Sequence, residues 1–147
     1  MLESSAMVPV LDQVNQLAAE LVSITNAAIA AAGEGDLSFL QWRLLAVLGN
    51  ETEPLRLHEI VGRVSTSMPS TSRLVARMER RGLVSRSRDP IDGRGRLIAL
   101  TAKGHAVRDR VVGWRRAILA ERLGTVPNAP ALSDGLAGIV EALASWL

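Results

Sequence analysis

Over most of its length this chain spaces its apolar residues as a helix does, and it departs from that spacing once, between residues 83 and 100. Leu83 to Arg88 reads Leu-Val-Ser-Arg-Ser-Arg, and Arg96 to Leu100 reads Arg-Leu-Ile-Ala-Leu. Between them, Asp89-Pro90-Ile91-Asp92-Gly93-Arg94-Gly95 supplies the proline, aspartates and glycines of a turn. A single hairpin in a helical chain restricts the fold to a mainly α architecture with a small β-wing whose tip is polar. Only four side chains are aromatic: Phe39, Trp42, Trp114 and Trp146. The core must therefore come from Leu, Val, Ile and Ala, which suits packed helices.

The other elements follow from periodicity and caps. Residues 8–32 read as a long helix with a wide apolar stripe, broken by Gly33-Glu34-Gly35-Asp36. Ser38, with Gln41 three residues on, caps a helix from Phe39 to about Leu48. Pro54-Leu55-Arg56 leads into a short helix, Leu57 to Val64. After the turn Ser65-Thr66-Ser67, Ser67 caps a helix from Met68 to Arg81, with Pro69 in its first turn and Gly82 at its end. Thr101 caps a long helix from Ala102 to about Leu123. Residues 125–131, with two prolines, read as a linker, and Ser133 as the cap of a last helix running to Leu147. The middle of the chain is thus a helix-turn-helix followed by a wing. All of it, 1–147, is expected to form a single domain, with the lobe at 37–101 flanked by apolar helices at 8–32 and 102–147.

Charge is unevenly placed. Residues 63–96 hold nine arginines against three acids, a net +6 in a chain whose total is +2. Such a stretch is the electrostatic footprint of a polyanion partner, or else a salt-bridged surface. The absence of cysteine excludes disulfides, thiolate zinc sites and thiol redox chemistry, and fits the cytoplasm. No apolar run of about 18 residues exists, so no membrane span is expected. His58 and His105 are far apart and lack metal-ligand spacing, and no nucleophile elbow or phosphate-binding glycine loop is present. Neither catalysis nor a metal or cofactor is expected.

The helix from Met68 carries Thr71, Leu74, Val75 and Met78 at core spacing. Ser70, Arg73, Arg77 and Arg80 lie on its other face, with Ser67 and Met68 at the front. A helix of this kind fits the major groove of B-DNA, which is about 12 Å wide, and arginine there can bind guanine in bidentate fashion. Serine hydroxyls reach phosphates or base edges. The two readings for Arg80 and Arg81 are phosphate contact and plain solvation.

From Leu57 onward the sequence resembles the MarR family of bacterial regulators. Asp92-Gly93-Arg94-Gly95-Arg96-Leu97-Ile98-Ala99-Leu100-Thr101 matches that family's wing pattern, D-x-R, five residues, then L-T. Arg73-Leu74-Val75, and Leu83-Val84 after Glu79-Arg80-Arg81-Gly82, look like the exit of its recognition helix, and Ser67-Met68-Pro69-Ser70 like the start. Leu37 to Trp42, with Leu45, looks like its second helix, so the likeness runs from Leu37 to Gly104. Two departures are Gly93, where many members have a second arginine, and Met68, where many have a polar or basic residue.

The resemblance implies a homodimeric transcriptional regulator, expected to be a repressor on a palindromic operator. The terminal helices would form the dimer base, and two lobes would enter adjacent major grooves. The DNA-contacting residues would be Ser67, Ser70, Ser72, Arg73, Arg77, Asp92, Arg94 and Arg96. Asp92 would orient the wing and pair with an arginine, and Arg94 would enter the minor groove, where negative potential concentrates. It also implies a cleft for a small aromatic or anionic effector, lined by Phe39, Trp42 and Trp114; the alternative for Phe39 and Trp42 is ordinary core. A dimer is expected independently, since the 8–32 helix is too apolar to be covered by one small lobe. The rival reading is a winged-helix interaction module that meets an acidic protein.

Overall fold

The computed structural model of the protein describes residues 2–93 and 95–144. The elements in chain order are α1 (Leu2–Ala31), α2 (Phe39–Gly49), β1 (Leu55–Arg56), α3 (Leu57–Val64) and α4 (Met68–Arg80). They continue with β2 (Val84–Arg88), β3 (Arg96–Leu100), α5 (Ala102–Leu123) and α6 (Ala129–Ala144). The protein is mainly helical with one small antiparallel sheet. Among the described residues no helix is long and apolar enough to cross a membrane.

Local chemistry sets most of the boundaries. The Ser38 hydroxyl accepts from Gln41 N, and the Gln41 side chain accepts from Ser38 N, closing a capping box on α2. Ser67 and Thr101 cap α4 and α5 in the same sense, accepting from Ser70 N and Gly104 N. Gly82 follows α4 at φ +70°, a left-handed conformation that a side chain would resist.

The core is mainly aliphatic, with Trp42 at one side of it. Leu44 and Leu45 of α2, Ile60 of α3, Val75 and Met78 of α4, Ile98 of β3 and Val111 of α5 are all fully buried together. Thr71, Leu74, Val75 and Met78 form the inner face of α4, as their spacing requires. α1 packs along α5, and α2 lies between α5 and the helix-turn-helix pair.

Three boundaries differ from expectation. The sheet has three strands, not two, in the order β1-β3-β2, because Leu55 and Arg56 pair with Ile98 and Leu97. A two-residue strand shows no alternation, so periodicity cannot reveal it. α1 begins at Leu2 rather than Val8, and Pro9 removes one N–H from its ladder without ending it. α6 begins at Ala129, which places Ser133 inside the helix and not at its cap. The linker read over 125–131 is correspondingly shorter, since Pro130 falls in the first turn, where proline is tolerated. The expected end of α6 at Leu147, like Trp146, lies outside the described residues.

The start of α5 is bound closely to the segment that follows α4. The Thr101 hydroxyl donates to Gly82 O at 2.7 Å, Thr101 N donates to Leu83 O at 3.1 Å, and Lys103 Nζ donates to Arg81 O at 2.9 Å. A Cβ on Gly104 would stand 2.0 Å from Leu83 O, a backbone atom that cannot swing aside. Gly104→Ala is therefore expected to destabilise the protein by about 3 kcal/mol, the upper range for overpacking. Urea denaturation checks it, and a loss below about 1 kcal/mol would contradict this packing.

Candidate nucleic-acid interface

α4 is presented by the turn before it. Ser65 takes a left-handed conformation at φ 57° as the C-cap of α3, and its N–H donates to Val61 O. The Thr66 hydroxyl meets that of buried Thr71 at 2.6 Å, pinning the turn to the core. In the first turn of α4, Ser67 Oγ donates to Ser70 Oγ at 3.0 Å, and the Arg73 guanidinium donates to Ser70 Oγ at 3.4 Å. Ser67, Arg73 and Arg77 are exposed and Ser70 is half-buried, so these four expected residues share one accessible polar face. Ser72 is half-buried. Arg80 is exposed, whereas Arg81 is tied to Asp36 at 2.8 Å and Gln41 at 3.1 Å, and so anchors α4 to α2.

The wing is held by a carboxylate of its own turn. Asp89, only 2% exposed, accepts from Ile91 N at 2.8 Å and Asp92 N at 3.2 Å. It also accepts from Arg56 Nε at 2.8 Å, which joins β1 to the turn. Asp89 N donates to Gly95 O at 3.1 Å and Gly95 N to Asp92 O at 2.7 Å, closing the loop. Asp89 with Arg56 thus fixes the base of the turn, and exposed Asp92 adds its carbonyl, which accepts from Gly95 N. The sequence signal for Asp89 is an aspartate followed by proline, able to accept from the N–H two residues on. Arg56 is 33 residues away, and no local pattern announces it.

Arg94, the expected minor-groove residue, lies outside the described residues. Arg96 is exposed and stands directly opposite exposed Arg88 across the β2–β3 ladder. Like charges facing each other across a sheet repel. No acidic side chain among the described residues bridges either one. Arg86, one step down the same strand face, bridges to Glu79 of α4 at 3.1 Å. That ion pair ties the wing to α4, so the basic surfaces of hairpin and helix adjoin.

The three aromatic candidates do not share one cleft. Trp42, buried in the core, and half-buried Phe39 line a cleft of about 200 Å³ with Thr25 of α1, Arg43 of α2 and Arg115 of α5. The Nε–H groups of Arg43 and Arg115, like that of Arg108, are buried without an acceptor among the described residues. Trp114, 48% exposed, lines a separate depression with Asp109 and Arg110.

A capped helix-turn-helix joined through a short turn to a three-stranded wing defines a winged helix-turn-helix protein. Residues 35–95 match the model of the MarR family. That match runs from just before α2 to the foot of β3 and leaves out α1, α5 and α6. It is 35% identical over 75 residues to the homoprotocatechuate degradative operon repressor of Escherichia coli, an alignment covering 51% of this chain and 50% of that one. The chain therefore matches about half the length of that relative. The fold is similar to that of RV1404 from Mycobacterium tuberculosis, with a TM-score of 0.82, 26% identity and 92% of each chain covered. It is also similar to FabT of Streptococcus pneumoniae, solved in complex with DNA, with a TM-score of 0.78, 14% identity and coverage of 95% and 98%.

The wing carries a pH dependence whose sign follows from its geometry. The Ile91 and Asp92 N–H groups, and then Arg56, hold the Asp89 carboxyl below its ordinary pKa against the opposing effect of burial. A depressed folded-state value means the ionised carboxylate stabilises the wing above the ordinary carboxylate range. That stabilisation is lost as pH falls through the lowered value. Hydrogen exchange at the Ile91 and Asp92 amides should accelerate relative to the α4 core on acidification, after correction for intrinsic rates. Asp89→Asn should show fast wing exchange already at neutral pH. Equal protection of those amides in the variant and the parent would refute the role of Asp89.

Proposed function

We infer that the chain is a sequence-specific DNA-binding regulator of transcription, acting in the cytoplasm as a homodimer on a palindromic operator. The observation that carries this reading is the Arg88–Arg96 pair, which no acid among the described residues neutralises, on a wing tied through Arg86 and Glu79 to α4, the helix that bears Ser67, Ser70 and Arg73. Phosphates relieve such repulsion, and serine and arginine on a helix front suit base edges in a major groove. The likeness in fold to FabT, solved with DNA, and in sequence to a named operon repressor agrees with it. Repression is accordingly the proposed sense of control. In this reading Ser72, Arg77, Asp92, Arg94 and Arg96 join the contact set, and 37–101 is the DNA-binding lobe.

The homodimer rests on the other end of the molecule. α1, α5 and α6 line an apolar groove of about 820 Å³, with Leu17, Leu21, Ile24, Ile118, Leu136 and Val140 among its walls. Val140 and Leu143 of α6 and Val8 and Leu11 of α1 are more than half exposed. A surface this apolar calls for a partner, and a second copy would cover it with the same helices. Paired lobes about 34–36 Å apart would then read two half-sites. For the effector, the cleft of Phe39, Trp42, Arg43 and Arg115 suits a small aromatic anion, stacking on rings and accepting from the unpaired Nε–H groups. Trp114 is left out of that site.

Two measurements test this reading. DNA affinity should fall steeply with salt, and Arg94→Ala and Arg96→Ala should each weaken binding and reduce the log–log salt slope by about 1. Binding to operator fragments as tight as the parent's in both variants would remove the wing from the interface. In light scattering the parent should have twice the mass of the chain, and Leu136→Glu with Val140→Glu should halve it and abolish operator binding. A monomeric parent would overturn the paired arrangement.

A further inference from the structure

Met68 is the first residue of α4, and 45% of its surface is open to solvent. It sits on a turn whose neighbours are hydroxyls: Ser67 and Ser70 are hydrogen-bonded to each other, and Thr66 is bonded to Thr71. The buried face of α4 is complete without it, formed by Thr71, Leu74, Val75 and Met78. Almost half of this large apolar side chain is left in water, which is unfavourable. The major groove offers one apolar feature on its floor, the C5-methyl of a pyrimidine.

We propose that Met68 is a specificity-determining residue that packs on the C5-methyl group of a thymine in each half-site. The inference rests on the DNA-binding reading and deepens it, because it specifies one base of the operator from one side chain. Thioether carbons and sulfur are polarisable and adapt to a methyl without fixed geometry. The hydroxyl–arginine chain of Ser67, Ser70 and Arg73 stands at the same end of α4, so polar readout of a neighbouring base accompanies the apolar contact. The same methyl is present in 5-methylcytosine, which shares the chemistry. Selection from unmethylated DNA separates the sources, since only thymine then supplies it.

The test starts with duplexes selected by the full-length protein from an unmethylated random pool. Each thymine of a selected duplex is replaced singly by uracil, which removes the methyl and keeps every hydrogen-bonding group. One replacement per half-site should weaken binding by about fourfold, the fold-change for one buried carbon. Met68→Ala should bind the thymine duplex about as weakly as the parent binds the uracil duplex, and should not distinguish the two. Met68→Leu should still prefer thymine. The side chain is exposed, so neither substitution disturbs the core. If no uracil replacement changes affinity, or if the preference persists in Met68→Ala, the assignment fails while DNA binding stands. A protein that selects no duplex removes the DNA-binding reading and this inference together.

Discussion

The wing depends on one buried carboxylate. Asp89 gathers two backbone N–H groups of its own turn and a guanidinium from β1, and so fixes the hairpin tip to the lobe. Removing it would leave the Arg56 guanidinium and two N–H groups without their acceptor, a larger cost than losing one neutral hydrogen bond. The short strand β1 gains its purpose from this bond, since two residues of ladder are a weak attachment alone. A hairpin held at its root and at its turn can present charge at a fixed height above α4. A freely hinged one would lose much of its contact energy to ordering.

Much of the scaffold was legible in the sequence because caps are local. Ser38 with Gln41, Ser67 with Pro69, and Thr101 each announce a helix start within four residues, and each stands where expected. The inner face of α4 was readable from spacing for the same reason. What the sequence concealed was long-range. Arg56 reaches Asp89, Arg81 reaches Asp36, and Leu55 pairs with Ile98, all across more than thirty residues. Asp92 and Asp89 differ little as letters in a turn. Only the fold shows which carboxylate faces inward.

The aromatic residues teach the same lesson in reverse. Phe39, Trp42 and Trp114 are alike in composition terms, yet Trp42 and Phe39 share a cleft with two arginines while Trp114 stands elsewhere on α5. Type alone does not locate a site. The neighbours decide it: Arg43 and Arg115 line the cleft of Phe39 and Trp42, and Asp109 and Arg110 the depression of Trp114.

α5 is capped by Thr101, which is bonded to Gly82 just past α4, and runs 22 residues to the apolar groove at Ile118 and Leu123. At the rise of an α-helix it is a rod about 33 Å long. Tilting such a rod by about 5° moves its far end by about 3 Å, close to the rise of one base-pair step. The cleft bearing Arg115 lies beside this rod, part-way along it. A molecule wedged there would act on a lever, with the fulcrum at the helix pairing and the displacement delivered to the lobe.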